Sequence, residues 1–82
     1  MRLIPLTSSQ LAAVGWVGDG ERSTMAVVFQ NGGQCYLYDG VPRSVFVGVI
    51  TDPDSQGKAF STLVKKGGYA YRRSTPEEIA GL

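Results

Sequence analysis

A glycine-rich turn between two alternating segments is the strongest constraint that this sequence places on its fold. Asn31-Gly32-Gly33 separates residues 23–30 from residues 34–38, and a strand in the first segment would place Met25, Val27 and Phe29 on one face. Successive side chains of a strand point to opposite faces, so Tyr36 and Tyr38 would share one face. Asn-Gly between alternating segments is typical of a hairpin. The sequence therefore predicts two antiparallel strands here.

A weaker alternation at residues 11–17 predicts a strand before this hairpin. It places Val14 and Trp16 on one face and Leu11 on the other. The turn-forming cluster at residues 18–22 would connect this strand to the hairpin. We expect Trp16 to anchor the core, because an indole buries a large apolar area.

The second half of the chain has helical periodicity. Pro42 suits the beginning of a first helix, and the Asp52-Pro53-Asp54 segment ends it. Its predicted apolar stripe consists of Val45, Phe46, Val49 and Ile50.

A second helix is predicted from Ser55, a good N-cap residue, to Lys66, before Gly67-Gly68. Its predicted buried side consists of Ala59, Phe60, Leu63 and Val64. Short alternation at residues 69–73 allows another strand, and residues 74–78 have the pattern of a helix cap.

These elements predict an α+β fold: a three-stranded antiparallel meander followed by two short helices packed on one face, with room for an extra C-terminal strand. The 82 residues suffice for one domain, residues 1–82. Its core would span about residues 7–73, and residues 74–82 would form a tail or a short helical turn.

Composition excludes several kinds of chemistry. The chain has no histidine and a single cysteine, Cys35. Histidine-based catalysis and the usual metal sites are therefore excluded, and we expect no enzyme, no cofactor and no metal. Cys35 lies mid-strand and is predicted to be a small buried hydrophobic residue. With no signal peptide and no stretch of about 20 apolar residues, a cytoplasmic protein without a membrane partner is expected.

Charge is distributed unevenly along the chain. Residues 55–73 contain five basic residues and no acidic residue, although the formal net charge of the whole chain is only +1. Such a stretch favours an anionic partner. The five are Lys58, Lys65, Lys66, Arg72 and Arg73.

An ordered set of short motifs resembles the KTSC domain, which is named for its occurrence at the C-terminus of some lysyl-tRNA synthetases and also occurs alone in bacteria and phages. The likeness covers about residues 7–73 and departs from the family where Ala59 follows Lys58. The motifs are Ser8-Ser9, Tyr36-Leu37-Tyr38, Gly40-Val41-Pro42, Ser55-Gln56-Gly57-Lys58 and Tyr69-Ala70-Tyr71. The resemblance suggests RNA binding. For a phage protein, it also suggests the sequestering of a nucleotide signal of host defence.

Each candidate feature has a functional and a structural interpretation. Tyr36 and Tyr38 form either a stacking platform for bases or part of the core under the helices. The motif at residues 55–58 either attracts an anion at a helix start or is a plain N-cap. The basic residues either contact phosphates or only solubilise the surface.

The leading hypothesis is a non-catalytic binding module for an anionic, base-containing ligand, either RNA or a nucleotide. The alternative is a protein–protein or homo-oligomerisation module that uses an edge or a face of the sheet. The candidate ligand-binding residues are Tyr36, Tyr38, Ser55, Gly57, Lys58, Lys65, Tyr71, Arg72 and Arg73.

Overall fold

The computed structural model describes residues 1–18, 22–52 and 55–82 and confirms an α+β fold. Five antiparallel strands form one sheet in which spatial order follows chain order. The strands are β1 (Leu3–Pro5), β2 (Leu11–Gly18), β3 (Ser23–Phe29), β4 (Cys35–Asp39) and β5 (Tyr71–Ser74). The helices are α1 (Arg43–Ile50), α2 (Gln56–Phe60), which continues as a π-helical segment (Ser61–Lys65), and α3 (Pro76–Ala80).

The predicted hairpin is confirmed. β3 pairs with β4, and the Phe29 amide donates to the Gln34 carbonyl at 2.9 Å. Gly32 and Gly33 both have positive φ angles, 76° and 64°, which other residues adopt reluctantly. The other predicted turn, at residues 18–22, falls largely on residues outside the described part of the chain, as do Pro53 and Asp54 of the predicted helix stop.

The strand predicted at residues 11–17 exists, but one of its side chains was assigned to the wrong face. The register between β2 and β3 shifts between Leu11 and Ala13, where one extra residue of β2 is inserted. This bulge reverses the alternation, so Leu11 joins Val14 in the same core instead of facing away from it.

The sheet contains two more strands than the predicted meander. β5 pairs with β4 and confirms the extra C-terminal strand that the sequence allowed. β1 was not predicted, because three residues that include Pro5 are too short to show alternation. Proline is tolerated at such a sheet edge, where no partner needs its missing N–H.

The larger core lies between the sheet and the first two helices, on one face as predicted. Trp16 packs against this core, and its Nε1 donates to the Val41 carbonyl at 2.8 Å, which ties β2 to the segment before α1. Phe46 and Val49 of α1 are buried, in agreement with the predicted stripe. The buried residues are Leu11, Val14, Met25, Val27, Tyr38, Val41, Phe46, Val49, Ala59, Phe60 and Val64.

The second predicted helix changes its hydrogen-bonding pattern after Phe60. The Lys66 amide donates to the Ser61 carbonyl, five residues earlier, at 3.1 Å, which is the π-helical spacing. The wider turn keeps Val64 buried but moves Leu63, which was predicted to be buried, to 39% exposure. Leu63 instead lies over Gly48 of α1: a Cβ added at Gly48 would lie 3.2 Å from Leu63 Cδ1.

A smaller core covers the opposite face of the sheet. Ile79 of α3 is 1% exposed and packs with Ala26, Cys35 and Leu37. Thr75 caps α3, because its Oγ1 accepts from the Glu78 amide at 3.2 Å. The predicted helical turn is therefore present, and Cys35 is buried as expected. The packed structure thus extends beyond residues 7–73 at both ends.

This second core gives a stability prediction. We expect Ile79→Ala to lower the free energy of unfolding by about 2–5 kcal/mol, because it empties a fully buried aliphatic position. Chemical denaturation would measure the loss. Leu82→Ala, at a residue 46% exposed, is the matched control and should change stability by less than about 0.5 kcal/mol. Equal losses in the two variants would contradict the packing of α3.

Candidate aromatic and basic site

Five aromatic rings form a connected cluster on the helix-side face of the sheet. Cross-strand pairing places Tyr38 opposite Tyr71, and their rings stack with centroids 5.3 Å apart and planes inclined by 28°. The other contacts in the cluster are edge-to-face, with centroids 5.6–6.2 Å apart. The cluster consists of Phe29, Tyr36, Tyr38, Phe60 and Tyr71.

Exposure increases across the cluster from the core towards the sheet edge. Tyr38 is 4% exposed, Tyr36 is partly buried and Tyr71 is 65% exposed. The structure therefore divides the predicted tyrosine pair: Tyr38 belongs to the core, whereas Tyr36 borders the surface. Tyr71 is supported on one ring face by Tyr38, and Tyr38 is held in turn by Phe60 at 5.6 Å.

Burial also changes the acidity of the inner tyrosine. Removal of the Tyr38 hydroxyl from water raises its pKa, and the neighbouring phenols Tyr71 and Tyr36 raise it further. The neutral phenol is therefore favoured more strongly in the folded protein than in the unfolded chain.

Strand alternation separates the two adjacent arginines of β5. Arg73 pairs with Tyr36 and lies on the same face as Tyr36 and Tyr71. Its side chain is exposed, and no acidic residue of the described chain forms a salt bridge with it. Arg73 therefore adds an available positive charge beside the exposed ring.

Arg72 pairs with Leu37 on the opposite face, away from the aromatic cluster. Its Nη1 donates to Glu78 Oε1 at 2.8 Å, and the same carboxylate oxygen accepts from Ser74 Oγ at 2.5 Å. These two hydrogen bonds lower the pKa of Glu78, and the partner carboxylate raises the pKa of Arg72. Arg72 thus joins β5 to α3 and is not part of the surface that contains Arg73.

The motif at the beginning of α2 is occupied by local structure. Ser55 Oγ accepts from the Lys58 amide at 3.1 Å, which makes Ser55 the N-cap. The Ser55 amide donates to Asp52 Oδ1 at 2.8 Å, so a carboxylate already lies at this helix start. Lys58 is exposed on α2, and Lys65 is exposed at the end of the π-helical segment. Within the described chain, no aromatic or salt-bridge contact joins either lysine to the cluster.

Gly57 has a packing role. A Cβ at this position would come within 2.7 Å of Gln10 Oε1 and 3.3 Å of Ser8 Oγ, so only glycine allows this close approach without a shift of the Gln10 side chain. Ser8 Oγ itself accepts from the amides of Gln10 and Leu11, and Gln30 Nε2 donates to the Ser8 carbonyl at 3.2 Å. The Ser8-Ser9 motif therefore shapes the turn before β2, against α2.

Two supporting residues of the site, Phe29 and Phe60, were assigned by sequence only to a strand face and a helix face. Each ring contacts a tyrosine that the sequence did select, Tyr36 and Tyr38 respectively. Helical spacing correctly predicted that Phe60 is buried, whereas Phe29 is partly buried. Only the tertiary packing shows that the two rings support the tyrosines.

A protein-family model, described as the KTSC domain, matches residues 7–71. The chain belongs to the KTSC domain family. The match extends from the turn before β2 to Tyr71, and it leaves β1, Arg73 and α3 outside. No curated protein and no solved structure matches the chain. In the described residues, no helix is both long and apolar enough to span a membrane.

The raised pKa of Tyr38 gives a prediction at high pH. The proton that the folded protein holds more tightly contributes stability fully below the unfolded tyrosine pKa of about 10, and this contribution is lost as pH rises through the folded pKa. In an ultraviolet pH titration, which follows the absorbance of deprotonated tyrosine, we expect Tyr38→Phe to remove the last component, meaning the part of the absorbance change that occurs at the highest pH. Tyr69→Phe is the control and should leave that last component in place. Persistence of the component in Tyr38→Phe would contradict the assignment.

Proposed function

We propose that this KTSC domain is a non-catalytic binding module for an anionic ligand that contains a nucleobase, either RNA or a nucleotide. The ligand would bind on the tyrosine surface, defined here as Tyr36, Tyr71 and Arg73. The observation that carries the proposal is the Tyr71 ring, which is 65% exposed yet stacked on a buried tyrosine.

An exposed aromatic ring with a fixed orientation is suited to stacking. Each base stacked on a protein aromatic ring contributes about 1–3 kcal/mol to binding, and every base offers a flat face. Tyr38 covers the inner face of Tyr71, so little ring motion has to be lost when a base covers the outer face. The ring plane of Tyr36 is inclined by 62° to that of Tyr71, and Tyr36 lies beside Tyr71 on the same face of the sheet.

Arg73 supports the anionic part of the proposal. It lies on the same sheet face, two residues along β5 from Tyr71. A guanidinium can form two parallel hydrogen bonds to one phosphate, which adds geometric selectivity to charge attraction. The surface thus offers stacking and charge pairing, which are binding functions. A nucleotide or RNA ligand also agrees with the cytoplasmic location that we propose.

Self-association through the β5 edge is less well supported. Antiparallel pairing of two β5 strands would place arginines of the two copies opposite or next to one another, since Arg72 and Arg73 are adjacent. Like charges directly opposite one another destabilise a strand pair. We therefore favour the ligand-binding function over homo-oligomerisation.

The proposed function predicts a specific mutational pattern. We expect Tyr71→Ala to weaken the binding of a short single-stranded RNA or a ribonucleoside monophosphate by about tenfold or more, because a stacking contact is lost. Tyr71→Phe should retain binding, since it keeps the ring. Isothermal titration calorimetry with both probes would also show which of the two ligands binds more tightly.

Charge can be tested in the same assay. Arg73→Ala should weaken binding and reduce its salt dependence. Arg43→Ala is the matched control, because Arg43 is exposed at the beginning of α1, beyond the other end of β4. Loss of affinity in both arginine variants, or in neither, would place the site elsewhere.

A further inference from the structure

The outer side of β5 is an open sheet edge. β5 is the last strand in the sheet order and pairs only with β4 in the described structure. Open edges present main-chain N–H and C=O groups that have no strand partner. The residues that present these groups follow from the hydrogen-bond register.

Tyr71 and Arg73 direct their main-chain polar groups outwards. The Asp39 amide donates to the Ala70 carbonyl at 2.8 Å, so Asp39 and Ala70 form a hydrogen-bonded pair. Hydrogen-bonded and non-hydrogen-bonded pairs alternate along antiparallel strands, so Arg72 bonds inwards to Leu37 whereas Tyr71 and Arg73 do not. Apart from the bonds of the sheet itself, the described chain has no main-chain hydrogen bond to Tyr71 or Arg73.

The outer face of the Tyr71 ring adjoins the same edge. Tyr38 and Tyr71 are cross-strand partners whose rings stack at 5.3 Å, close to the spacing of the strands themselves. Because Tyr38 covers the inner ring face, the free face points away from β4, past the edge. A flat group stacked there would occupy the place of a side chain on a sixth strand, beside the free groups of β5.

We propose that a single nucleobase stacks on the outer face of Tyr71 and that its edge is hydrogen-bonded by the outward N–H and C=O groups of Tyr71 and Arg73. The inference rests on the proposed function and adds two properties to it. The site takes one base per chain, because Tyr38 already fills the other ring face. The site also discriminates between bases, because main-chain donors and acceptors have fixed positions.

The charge of the edge favours this occupant over a strand of a second copy. Arg72 and Arg73 would face arginines of that copy, whereas a nucleotide offers phosphate. Arg73 projects from the same face as the stacking ring, so one ligand can contact both groups.

A nucleotide panel tests both properties. We would titrate the protein with each of the four ribonucleoside 5′-monophosphates and with ribose 5-phosphate in the calorimeter. We expect one site per chain, at least tenfold weaker binding of ribose 5-phosphate, and a difference of about fivefold or more between the best and worst bases, equivalent to one net hydrogen bond. Equal affinity for all four bases would overturn the discrimination while leaving the stacking function intact.

Main-chain involvement is tested by comparing Arg73→Pro with Arg73→Ala. Both variants lack the guanidinium, but only proline removes the outward N–H, and an edge position that faces solvent tolerates proline. We expect the proline variant to bind the preferred base about fivefold more weakly than the alanine variant. Equal affinities in two folded variants would contradict the hydrogen bond from Arg73.

Amide resonances of the unmodified protein give a measurement that does not depend on the proline variant folding. On titration with the preferred monophosphate, the Tyr71 and Arg73 amides should shift strongly and exchange more slowly with solvent. The inward Arg72 amide is the internal control and should change little. Equal changes at all three amides would overturn the edge contact. The absence of binding by every probe would overturn the proposed function as well.

Discussion

The packing of Tyr38 connects the interior of this domain to its surface. Its ring lies at 4% exposure between Phe60 of α2 and Tyr71 of β5. The contact with Phe60 therefore holds the helix layer on the sheet, and the contact with Tyr71 orients the only strongly exposed aromatic ring of the described chain. A tyrosine in this position stabilises the fold and also positions the proposed binding surface, so its structural and functional interpretations do not exclude each other.

The remainder of the architecture follows from a sheet with two covered faces. Helices α1 and α2 cover one face, and α3 covers part of the other through Ile79. Because successive side chains of β5 point to opposite faces of the sheet, its two arginines have different neighbours. Arg72 forms a salt bridge with Glu78 of α3, whereas Arg73 lies on the same face as Tyr71. Two adjacent residues of an edge strand thus differ in role: Arg72 is engaged in a structural salt bridge, and Arg73 has a positive charge available for a ligand.

The sequence predicts the fold well wherever local chemistry decides the outcome. Gly32 and Gly33 specify the hairpin because few other residues accept positive φ, and Ser55 and Thr75 begin helices because their hydroxyls cap amides. Leu11 and Leu63 were misplaced because a bulge and a π-helical turn each insert a residue into an otherwise regular period. Neither irregularity has a clear signal in the residues themselves.

The candidate site shows a different limit of sequence reasoning. The sequence allows a strand at residues 69–73, but on sequence alone both Arg72 and Arg73 are candidate ligand-binding residues. Only the pairing of Tyr36 with Arg73 shows which arginine lies on the same face as the tyrosines. Register is a tertiary property, since it depends on how a strand separated from β4 by two helices returns to it. Because β5 pairs with β4 in this way, it lies at the edge of the sheet with an arginine on each face. This arrangement opposes strand addition by a like copy and leaves the outward main-chain groups of Tyr71 and Arg73 available to a small anionic ligand.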